Sequence, residues 1–258
     1  EKIIDKKTKV LISTSLFGRT VDLGEIRKIC KKKNIILIED AAQNFGSYVG
    51  KKNACNIADM TCTSFFPSKN LGCFGDGGAI FTNKKKYYDK LIKLRNHGQT
   101  NYNNGKIVGI NSRLGSLQAG ILIEKFKDFE NKKKKQKLLY QQYIDFFSSK
   151  KIIGYPEIRN DKKYYDDMNS QFSILVKKRN ILINELKKYK INYKIYYTKP
   201  LYKQYKLKKI GSLKNTEYIC KKIISLPFND LSKKRFNFVI KALNKIISKN
   251  KGLFFEEK

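Results

Sequence analysis

Residues 35–43 read Ile-Ile-Leu-Ile-Glu-Asp-Ala-Ala-Gln, and this stretch decides the fold. Its four apolar residues form a continuous run, which is typical of a parallel strand that is covered on both faces. The run ends in Glu39 and Asp40, so a carboxylate stands at the end of a buried strand. Strands of this kind belong to α/β domains, in which the chain alternates between strand and helix.

The segments on either side continue this alternation. Apolar periodicity predicts strands at residues 10–13, 60–66 and 79–82, and helices at residues 22–33 and 84–95. Asp22 is the predicted N-cap of the first helix. The first part of the chain is therefore predicted to be an α/β domain with a buried, largely parallel sheet.

The second part of the chain has a different organisation. A long helix is predicted from Leu114 to Phe147, and Pro156 with the polar residues after it marks a break. Beyond the break, the patterns predict strands at residues 171–176 and 192–197 and helices at residues 180–189 and 233–247. The tail at residues 249–258 is expected to be frayed. We predict a large domain at residues 1–135 and a small α+β domain at residues 136–258.

Lys69 stands out from the other lysines. The chain has 56 lysines and arginines, yet residues 34–83 contain only three lysines, Lys51, Lys52 and Lys69. Residues 64–72 read Ser-Phe-Phe-Pro-Ser-Lys-Asn-Leu-Gly, and a Gly-Asp-Gly-Gly turn follows at residues 75–78. An amine held among aromatic, Pro and Gly residues is a candidate for chemistry, whereas an amine in a lysine-rich face is a solvated charge.

The net charge of +34 suggests a negatively charged partner, such as nucleic acid or an anionic membrane. The excess is almost all Lys, whereas Arg is the residue that makes bidentate contacts to phosphates and bases. No nucleic-acid-binding motif accompanies the lysines, which are spread along the chain. We therefore favour biased surface composition over specific nucleic-acid recognition, although weak, salt-sensitive binding to polyanions is expected.

The composition of the chain also limits the classes of protein to which it can belong. The 258 residues, 41% of them hydrophobic, can build a sizeable core in one large domain or two modest ones. No run reaches the roughly 18 apolar residues of a membrane span, so we predict no membrane insertion. The five cysteines lack Cys-x-x-Cys spacing, which indicates free, mostly buried thiols in a reducing, cytoplasmic compartment. With His97 as the single histidine, a polyhistidine metal site is excluded and we predict no metal.

Lys69 and Asp40 together meet the main requirements of pyridoxal 5′-phosphate. This cofactor needs a lysine that forms an imine with it and then moves a proton. It also needs a carboxylate that keeps the pyridine nitrogen protonated, and donors for its phosphate. Ser64, at a strand end, can supply one such donor. Taken singly, Asp40 can also be a helix cap or turn residue, Ser64 a plain strand serine and Asn111 a turn former.

The chain carries an ordered series of motifs: Glu39-Asp40-Ala41-Ala42-Gln43, Ser64-Phe65-Phe66-Pro67-Ser68-Lys69, Gly75-Asp76-Gly77-Gly78-Ala79, Arg95-Asn96-His97-Gly98, Asn111-Ser112-Arg113-Leu114 with Gln118-Ala119, and Ser225-Leu226-Pro227. In this order and spacing the motifs resemble those of the DegT/DnrJ family of sugar-nucleotide aminotransferases. The resemblance covers nearly all of the chain. It implies the type I (aspartate aminotransferase-like) fold of pyridoxal phosphate enzymes, with a partial large domain and a small α+β C-terminal domain.

The resemblance also implies a role for each matched residue. Lys69 would be the catalytic lysine that binds the cofactor covalently, and Asp40 the partner of the pyridine nitrogen. Gln43 would lie near the phenolic oxygen of the cofactor, and Ser64 would bind its phosphate. Asn111 would reach the phosphate of the neighbouring subunit's cofactor, so that the active site would be completed only in a homodimer.

Arg113 would lie at the same shared site and bind substrate. Residues 58–81 most resemble the subgroup of the family that aminates UDP-2-acetamido-2-deoxy-3-oxo-glucuronate in the synthesis of surface polysaccharides, such as the O-antigen of lipopolysaccharide. A guanidinium suits the carboxylate of such a sugar. The resemblance thus implies a ping-pong transfer of an amino group from L-glutamate to a keto-sugar nucleotide.

The chain departs from the family pattern at its start. It begins without Met, inside what reads as a structured segment, and roughly the first third of the family pattern is absent. We therefore expect a natural N-terminal part to be missing and the chain alone to bind the cofactor poorly. Two other interpretations stay open: an inactive or split-gene fragment that acts as a subunit partner, and a basic nucleic-acid-binding protein.

Overall fold

The structure is a computed structural model, and it describes residues 4–101, 104–156, 164–209, 211–229 and 231–256. It divides into two compact units. The first unit is Glu1–Lys134 with Arg159–Ser170, and the second is Lys135–Ile158 with Gln171–Lys258. The division into domains 1–135 and 136–258 stays a prediction. The two compact units differ from it in one segment, because Arg159–Ser170 belongs to the first unit although it lies between two segments of the second.

The elements up to the first long helix are, in chain order, β1 (Val10–Thr14), α1 (Leu23–Lys32), β2 (Ile36–Asp40), β3 (Tyr48–Val49), β4 (Lys52–Asn53), β5 (Met60–Ser64), β6 (Gly78–Phe81), α2 (Lys85–Arg95), β7 (Gln99–Asn101), β8 (Asn104–Gly105), α3 (Ser116–Lys127) and α4 (Phe129–Ser149). The elements after it are β9 (Ile152–Ile153), β10 (Tyr165–Asp166), β11 (Phe172–Leu175), α5 (Arg179–Lys188), α6 (Leu201–Gln204), α7 (Lys214–Lys222), β12 (Ile223–Leu226), α8 (Lys233–Lys249) and β13 (Phe255–Glu256). Short 3₁₀ turns occupy Leu16–Gly18 and Ala54–Asn56.

The first unit is built on a four-stranded sheet with the order β1-β2-β5-β6. β1 pairs with β2 and β2 pairs with β5 in parallel, whereas β6 runs antiparallel to β5. Parallel strands end at the same edge of a sheet, so Thr14, Asp40 and Ser64 lie along one edge. The predicted α/β fold with a largely parallel sheet is confirmed, and the sheet brings the motif residues to a common edge.

Helix α1 begins where the sequence predicts it. The Asp22 side chain accepts a hydrogen bond of 3.0 Å from the backbone N–H of Glu25, which satisfies one of the free donors of the first turn. Cys30 on this helix packs with Leu37 of β2 and with Ala58 in one buried apolar cluster. The helix therefore covers one face of the sheet through the same strand that carries Asp40.

A buried lysine holds the returning segment to the first unit. The Nζ atom of Lys133 donates to the carbonyl oxygen of Gly46 at 2.6 Å and to the carboxylate of Asp166 at 2.8 Å, and it lies over the Tyr48 ring. Burial lowers the pKa of Lys133, and the charged group keeps its acceptors because an unpaired buried charge is costly. This contact fastens β10, on Tyr165 and Asp166, next to β3.

The predicted helix from Leu114 to Phe147 is wrong in one respect, because the structure has two helices. α3 ends at Lys127, α4 begins at Phe129, and Asp128 between them has non-helical dihedral angles (φ −104°, ψ 9°). Asp128 is the C-cap of α3, and its carboxylate accepts a hydrogen bond of 2.8 Å from the side chain of Asn131 in α4. Helical periodicity continues through such a break, so the pattern does not reveal it.

Two expectations for the second unit are also wrong. The predicted strand at residues 192–197 is only an isolated bridge between Lys194 and Ser225, because Ser225 belongs to β12, whose ladder is formed with β11. The tail is not frayed up to Glu256: Leu253 and Phe254 are each 1% exposed, and β13 pairs with β9. These two apolar side chains make the end of the chain part of the core.

The core of the second unit is aromatic. The rings of Tyr143 and Phe172 stack with centroids 4.6 Å apart, and the ring of Phe147 lies 5.9 Å from that of Phe254. The Tyr143 hydroxyl donates to the Pro227 carbonyl oxygen at 2.7 Å, so the buried phenol is satisfied. This core joins the second part of α4 to the antiparallel pair of strands β11 and β12.

Replacing Phe254 by Ala should lower the free energy of unfolding by about 3–5 kcal/mol, because a fully buried ring is removed from a packed core. Urea denaturation monitored by circular dichroism measures the change. Phe238→Ala is the matched control, since Phe238 is 40% exposed and its loss should cost clearly less. Equal, small losses in both variants would contradict a buried tail.

Candidate active site

The site lies at the edge where β1, β2 and β5 end. Asp40 is the last residue of β2 and is directly opposite Cys62 of β5 in the strand register. Ser64 ends β5, and Lys69 follows in the next loop. The charge of Asp40 acts on the Lys69 amine. Asp40 and Lys69 are therefore on the same edge of the sheet, as the chemistry suggested by the sequence requires.

The loop that carries Lys69 is a compact turn. The Lys69 N–H donates to the Phe66 carbonyl oxygen at 2.9 Å, and the Cys73 N–H donates to the Phe65 carbonyl oxygen at 2.8 Å. A Cβ atom on Gly72 would lie 2.6 Å from the Phe66 oxygen, so glycine is required for the chain to turn this closely. The backbone thus fixes where the lysine side chain starts.

The Lys69 amine has a lowered pKa. The side chain is half-buried, and burial lowers the pKa below the ordinary value of 10.5, while the negative charge of Asp40 raises it in part. A lower pKa increases the fraction of neutral amine, which is the form that attacks a carbonyl carbon. Perturbed amines of this kind are concentrated at functional sites.

Asp40 is held by the backbone. Its Oδ1 atom accepts a hydrogen bond of 3.0 Å from the Ala42 N–H, and its carbonyl oxygen accepts one of 3.1 Å from the Ser15 N–H. Across the register, burial and the charge of Asp40 raise the pKa of the Cys62 thiol. Cys62 therefore stands as a neutral thiol beside the carboxylate. The sequence pattern gave no sign of this neighbour, because only strand register brings it to Asp40.

Gln43 is tied to the lysine loop. Its Oε1 atom accepts a hydrogen bond of 2.6 Å from the Phe17 N–H, which leaves the amide Nε2 as the group that can donate to a ligand. Its carbonyl oxygen accepts a hydrogen bond of 3.2 Å from the side chain of Asn70, the residue after Lys69. Gln43 and Lys69 are thereby brought to the same place.

Ser64 keeps a hydroxyl proton to donate. Its Oγ atom accepts a hydrogen bond of 3.2 Å from the Phe66 N–H, which orients the side chain at the start of the lysine loop. The residue is half-buried, so a ligand can reach it. The structure thus brings Asp40, Gln43, Ser64 and Lys69 together on one edge.

Asn111 and Arg113 are placed elsewhere. Asn111 forms an isolated bridge with Asn96, and the Arg113 guanidinium donates to the Asn96 side-chain oxygen. Both residues are exposed. Among the residues that the structure describes, no hydrogen bond or ion pair joins either of them to Asp40, Ser64 or Lys69. Within one copy of the chain, these two residues do not complete the site.

An apolar cleft of about 1240 Å³ runs beside β6 and α2. Cys62, Ile80 and Leu91 are among the residues that line it, whereas Asp40 and Lys69 are not. The lining of this cleft therefore does not include the two residues that the sequence predicts to carry chemistry.

Within the described ranges, no group of three or more His, Cys, Asp or Glu residues could hold a metal ion. The helices searched there include none with the length and hydropathy to span a membrane.

The chain is similar to known proteins over most of its length. The model of the DegT/DnrJ/EryC1/StrS aminotransferase family matches residues 1–244. A UDP-2-acetamido-2-deoxy-3-oxo-D-glucuronate aminotransferase of Pseudomonas aeruginosa is 38% identical over 206 residues, which are 79% of this chain and 56% of that protein.

Solved structures are similar as well. A DegT DnrJ EryC1 StrS aminotransferase from Brucella abortus superimposes with a TM-score of 0.85 at 30% identity, over 92% of this chain and 64% of that one. NtdA from Bacillus subtilis, solved with bound cofactor PMP, superimposes with a TM-score of 0.83 at 27% identity, over 96% of this chain and 58% of that one. The chain thus spans about three fifths of the length of these relatives.

Replacing Asp40 by Asn should lower the pKa of Lys69 further, because the charge that opposes the effect of burial is removed. The pH dependence of reductive methylation of Lys69, followed by peptide mass spectrometry, measures this pKa in the cofactor-free chain. Asp76→Asn, in the exposed turn after the loop, is the control and should leave the Lys69 profile in place. A profile that moves to higher pH in Asp40→Asn would refute the Asp40–Lys69 interaction.

Proposed function

The chain belongs to the DegT/DnrJ/EryC1/StrS aminotransferase family, and we propose that it catalyses the pyridoxal-phosphate-dependent transfer of an amino group from L-glutamate to a keto-sugar nucleotide. The observation that carries this proposal is the half-buried Lys69 amine, whose pKa is lowered by burial beside the Asp40 carboxylate at the edge of a parallel sheet. An amine in this state is suited to covalent catalysis at a carbonyl carbon.

The residues at the strand edge fit the cofactor. The Asp40 carboxylate would hold a proton on the pyridine nitrogen, and the Gln43 amide nitrogen would donate to the phenolic oxygen. The Ser64 hydroxyl would donate to the phosphate. Lys69 offers the amine for covalent attachment, and the Asn70–Gln43 hydrogen bond keeps its loop next to Gln43. This donor set matches each polar group of the cofactor with a side chain of suitable chemistry.

When bound, pyridoxal phosphate supplies an electron-accepting ring and carries the amino group between the two substrates. The protein supplies the proton transfers. The Nζ atom of Lys69 would take the proton from the α-carbon of glutamate and, in the second half of the reaction, return a proton to the sugar carbon that receives the amine. The lowered pKa of Lys69 suits it to this work, because a neutral amine is the basic form.

We place the acceptor among UDP-linked 3-oxo uronic acids, in the synthesis of a surface polysaccharide. The 38% identity to the Pseudomonas aeruginosa enzyme supports this class. Arg113 would bind the sugar carboxylate, since its guanidinium is exposed and, among the described residues, has a hydrogen bond to Asn96 alone. All five cysteines are free thiols, which supports a cytoplasmic location. The comparisons with known proteins give no support to the nucleic-acid-binding alternative or to that of an inactive fragment.

A homodimer is the proposed active form, and the surface around Asn111 and Arg113 supports it. Large apolar side chains there are strongly exposed: Val108 is 95% exposed, Ile110 66% and Leu117 77%. Large exposed apolar patches on folded proteins mark interaction sites, and we infer that these side chains form one. A second copy on this surface would cover the apolar side chains and place Asn111 and Arg113 at the partner's cofactor site.

The activity is tested with pyridoxal phosphate, L-glutamate and UDP-2-acetamido-2-deoxy-3-oxo-glucuronate, by measuring the 2-oxoglutarate formed. Lys69→Ala should lower the rate roughly 10²- to 10⁴-fold, because the general base is lost, and Lys52→Ala is the matched control. Arg113→Ala should lower kcat/KM for the uronate roughly 10- to 100-fold, as loss of a charged hydrogen bond does.

The same assay with the 3-oxo-glucose analogue, which lacks the carboxylate, should give equal rates for wild type and Arg113→Ala. Because the chain alone is expected to bind the cofactor poorly, pyridoxal phosphate is supplied in large excess, and no 2-oxoglutarate from the wild-type chain under that condition would refute the proposed activity. Equal losses on both sugars would refute the role of Arg113 alone.

Sedimentation equilibrium tests the homodimer. The wild-type chain should sediment as a dimer, and Val108→Lys with Leu117→Lys should convert it to a monomer, because a buried apolar contact is replaced by two unpaired charges. Leu207→Lys, at a residue that is 60% exposed in the second unit, is the matched control and should stay dimeric. A wild-type monomer at micromolar concentration would contradict this assembly.

A further inference from the structure

Glu39, the residue before Asp40, is a fully buried carboxylate at the centre of a polar network. Its Oε1 atom accepts hydrogen bonds from the Ser15 hydroxyl at 2.9 Å and from the Asn44 amide at 3.3 Å. Its Oε2 atom accepts one from the Thr61 hydroxyl at 3.3 Å. The three donors come from the end of β1, from the turn after β2 and from β5. All four residues are at most 1% exposed.

A second ring of hydrogen bonds holds this network in place. The Asn44 side-chain oxygen accepts from the Thr20 hydroxyl at 3.2 Å and from the Ser47 hydroxyl at 2.6 Å. The Ser47 hydroxyl oxygen in turn accepts from the Met168 N–H at 2.8 Å. Partners that are fixed in this way cannot swing aside, so Glu39 stays bonded in one geometry.

The partners of Glu39 favour its ionised form. Burial raises its pKa above 4.5, whereas the hydrogen bonds from Ser15, Asn44 and Thr61 lower it. None of the described residues bonded to Glu39 is a Lys, Arg or His, so no cation neutralises it. Its negative charge reaches other groups: the pKa of the buried Cys55 thiol is raised to about 12 by burial and by Glu39.

We propose that Glu39 is a positioning residue that acts through Asp40. It places a second negative charge on the opposite face of the same strand, so that the pair of carboxylates favours a ligand with a protonated ring nitrogen. Neighbouring residues of a strand point to opposite faces, and the charges of Glu39 and Asp40 interact. This inference rests on the proposed function, and Glu39 itself touches neither cofactor nor substrate.

Glu39→Gln separates charge from structure, because the amide keeps the size of the side chain and one acceptor oxygen. Binding of pyridoxal phosphate is compared with binding of an analogue whose ring nitrogen is replaced by CH. Glu39→Gln should raise the dissociation constant for pyridoxal phosphate about tenfold, as expected for one lost charge interaction in a protein interior, and leave that of the analogue within about twofold. Asp40→Asn should weaken the binding of pyridoxal phosphate more than Glu39→Gln does, and should likewise leave the binding of the analogue almost unchanged.

Equal weakening for both ligands would overturn the inference, since a purely structural role does not distinguish them. Unchanged binding of both would overturn it too, while leaving the proposed function intact. Failure of the wild-type chain to bind pyridoxal phosphate even in large excess would refute the proposed function and this role with it. Thr61→Val, which removes one donor but keeps the carboxyl group, should show the same selectivity to a smaller degree and serves if Glu39→Gln does not fold.

The buried charge has a second readout that needs no cofactor. With the pKa of Glu39 raised in the folded state, the folded chain binds more protons than the unfolded chain just above pH 4.5, so this group makes stability fall as pH rises. Asp40 and Cys55 are the titratable groups that interact with it. The free energy of unfolding of Glu39→Gln minus that of wild type should therefore increase from pH 4.5 to pH 8. If this difference in unfolding free energy does not change with pH, the inference that Glu39 is a buried charge is wrong.

Discussion

The parallel pairing of β1, β2 and β5 is the constraint on which the site depends. The register sets Thr14 opposite Asp40 and Asp40 opposite Cys62, so three strands end together. Because parallel strands share a direction, their carboxyl ends and the loops that follow must meet at one edge. The charge of Asp40 acts on Lys69 because the lysine loop leaves β5 at this edge.

The first unit buries several polar side chains that have fixed hydrogen-bond partners. Glu39 has three hydrogen-bond donors and Lys133 has two acceptors, so each buried charge is compensated by fixed partners. The second unit is different, since its core is a cluster of stacked aromatic and aliphatic side chains. Polar networks hold side chains in a defined direction, which a binding site needs, whereas apolar packing mainly supplies stability.

The sequence predicted helices and strands correctly where the local pattern and the tertiary packing favour the same secondary structure. β2 and α1 were predicted within a residue or two, because a continuous apolar run and an Asp cap are local signals. The break at Asp128, the single bridge at Lys194 and the buried Phe254 were not predicted. The bridge at Lys194 and the burial of Phe254 depend on residues that are distant in the chain. The break at Asp128 interrupts a helix without interrupting its apolar periodicity. A short stretch of sequence therefore shows none of the three.

The sequence by itself determined which side chains are candidates for the proposed chemistry. A lone lysine among Pro and Gly residues and a carboxylate at the end of an apolar strand are visible as residue types at a given spacing. Only the tertiary structure decided what surrounds them: the thiol of Cys62 beside Asp40, the tie from Asn70 to Gln43, and the network that buries Glu39. The chemical character of a side chain is a property of the residue itself and can be read from the sequence. Burial and electrostatic coupling arise only when segments more than twenty residues apart are brought into contact.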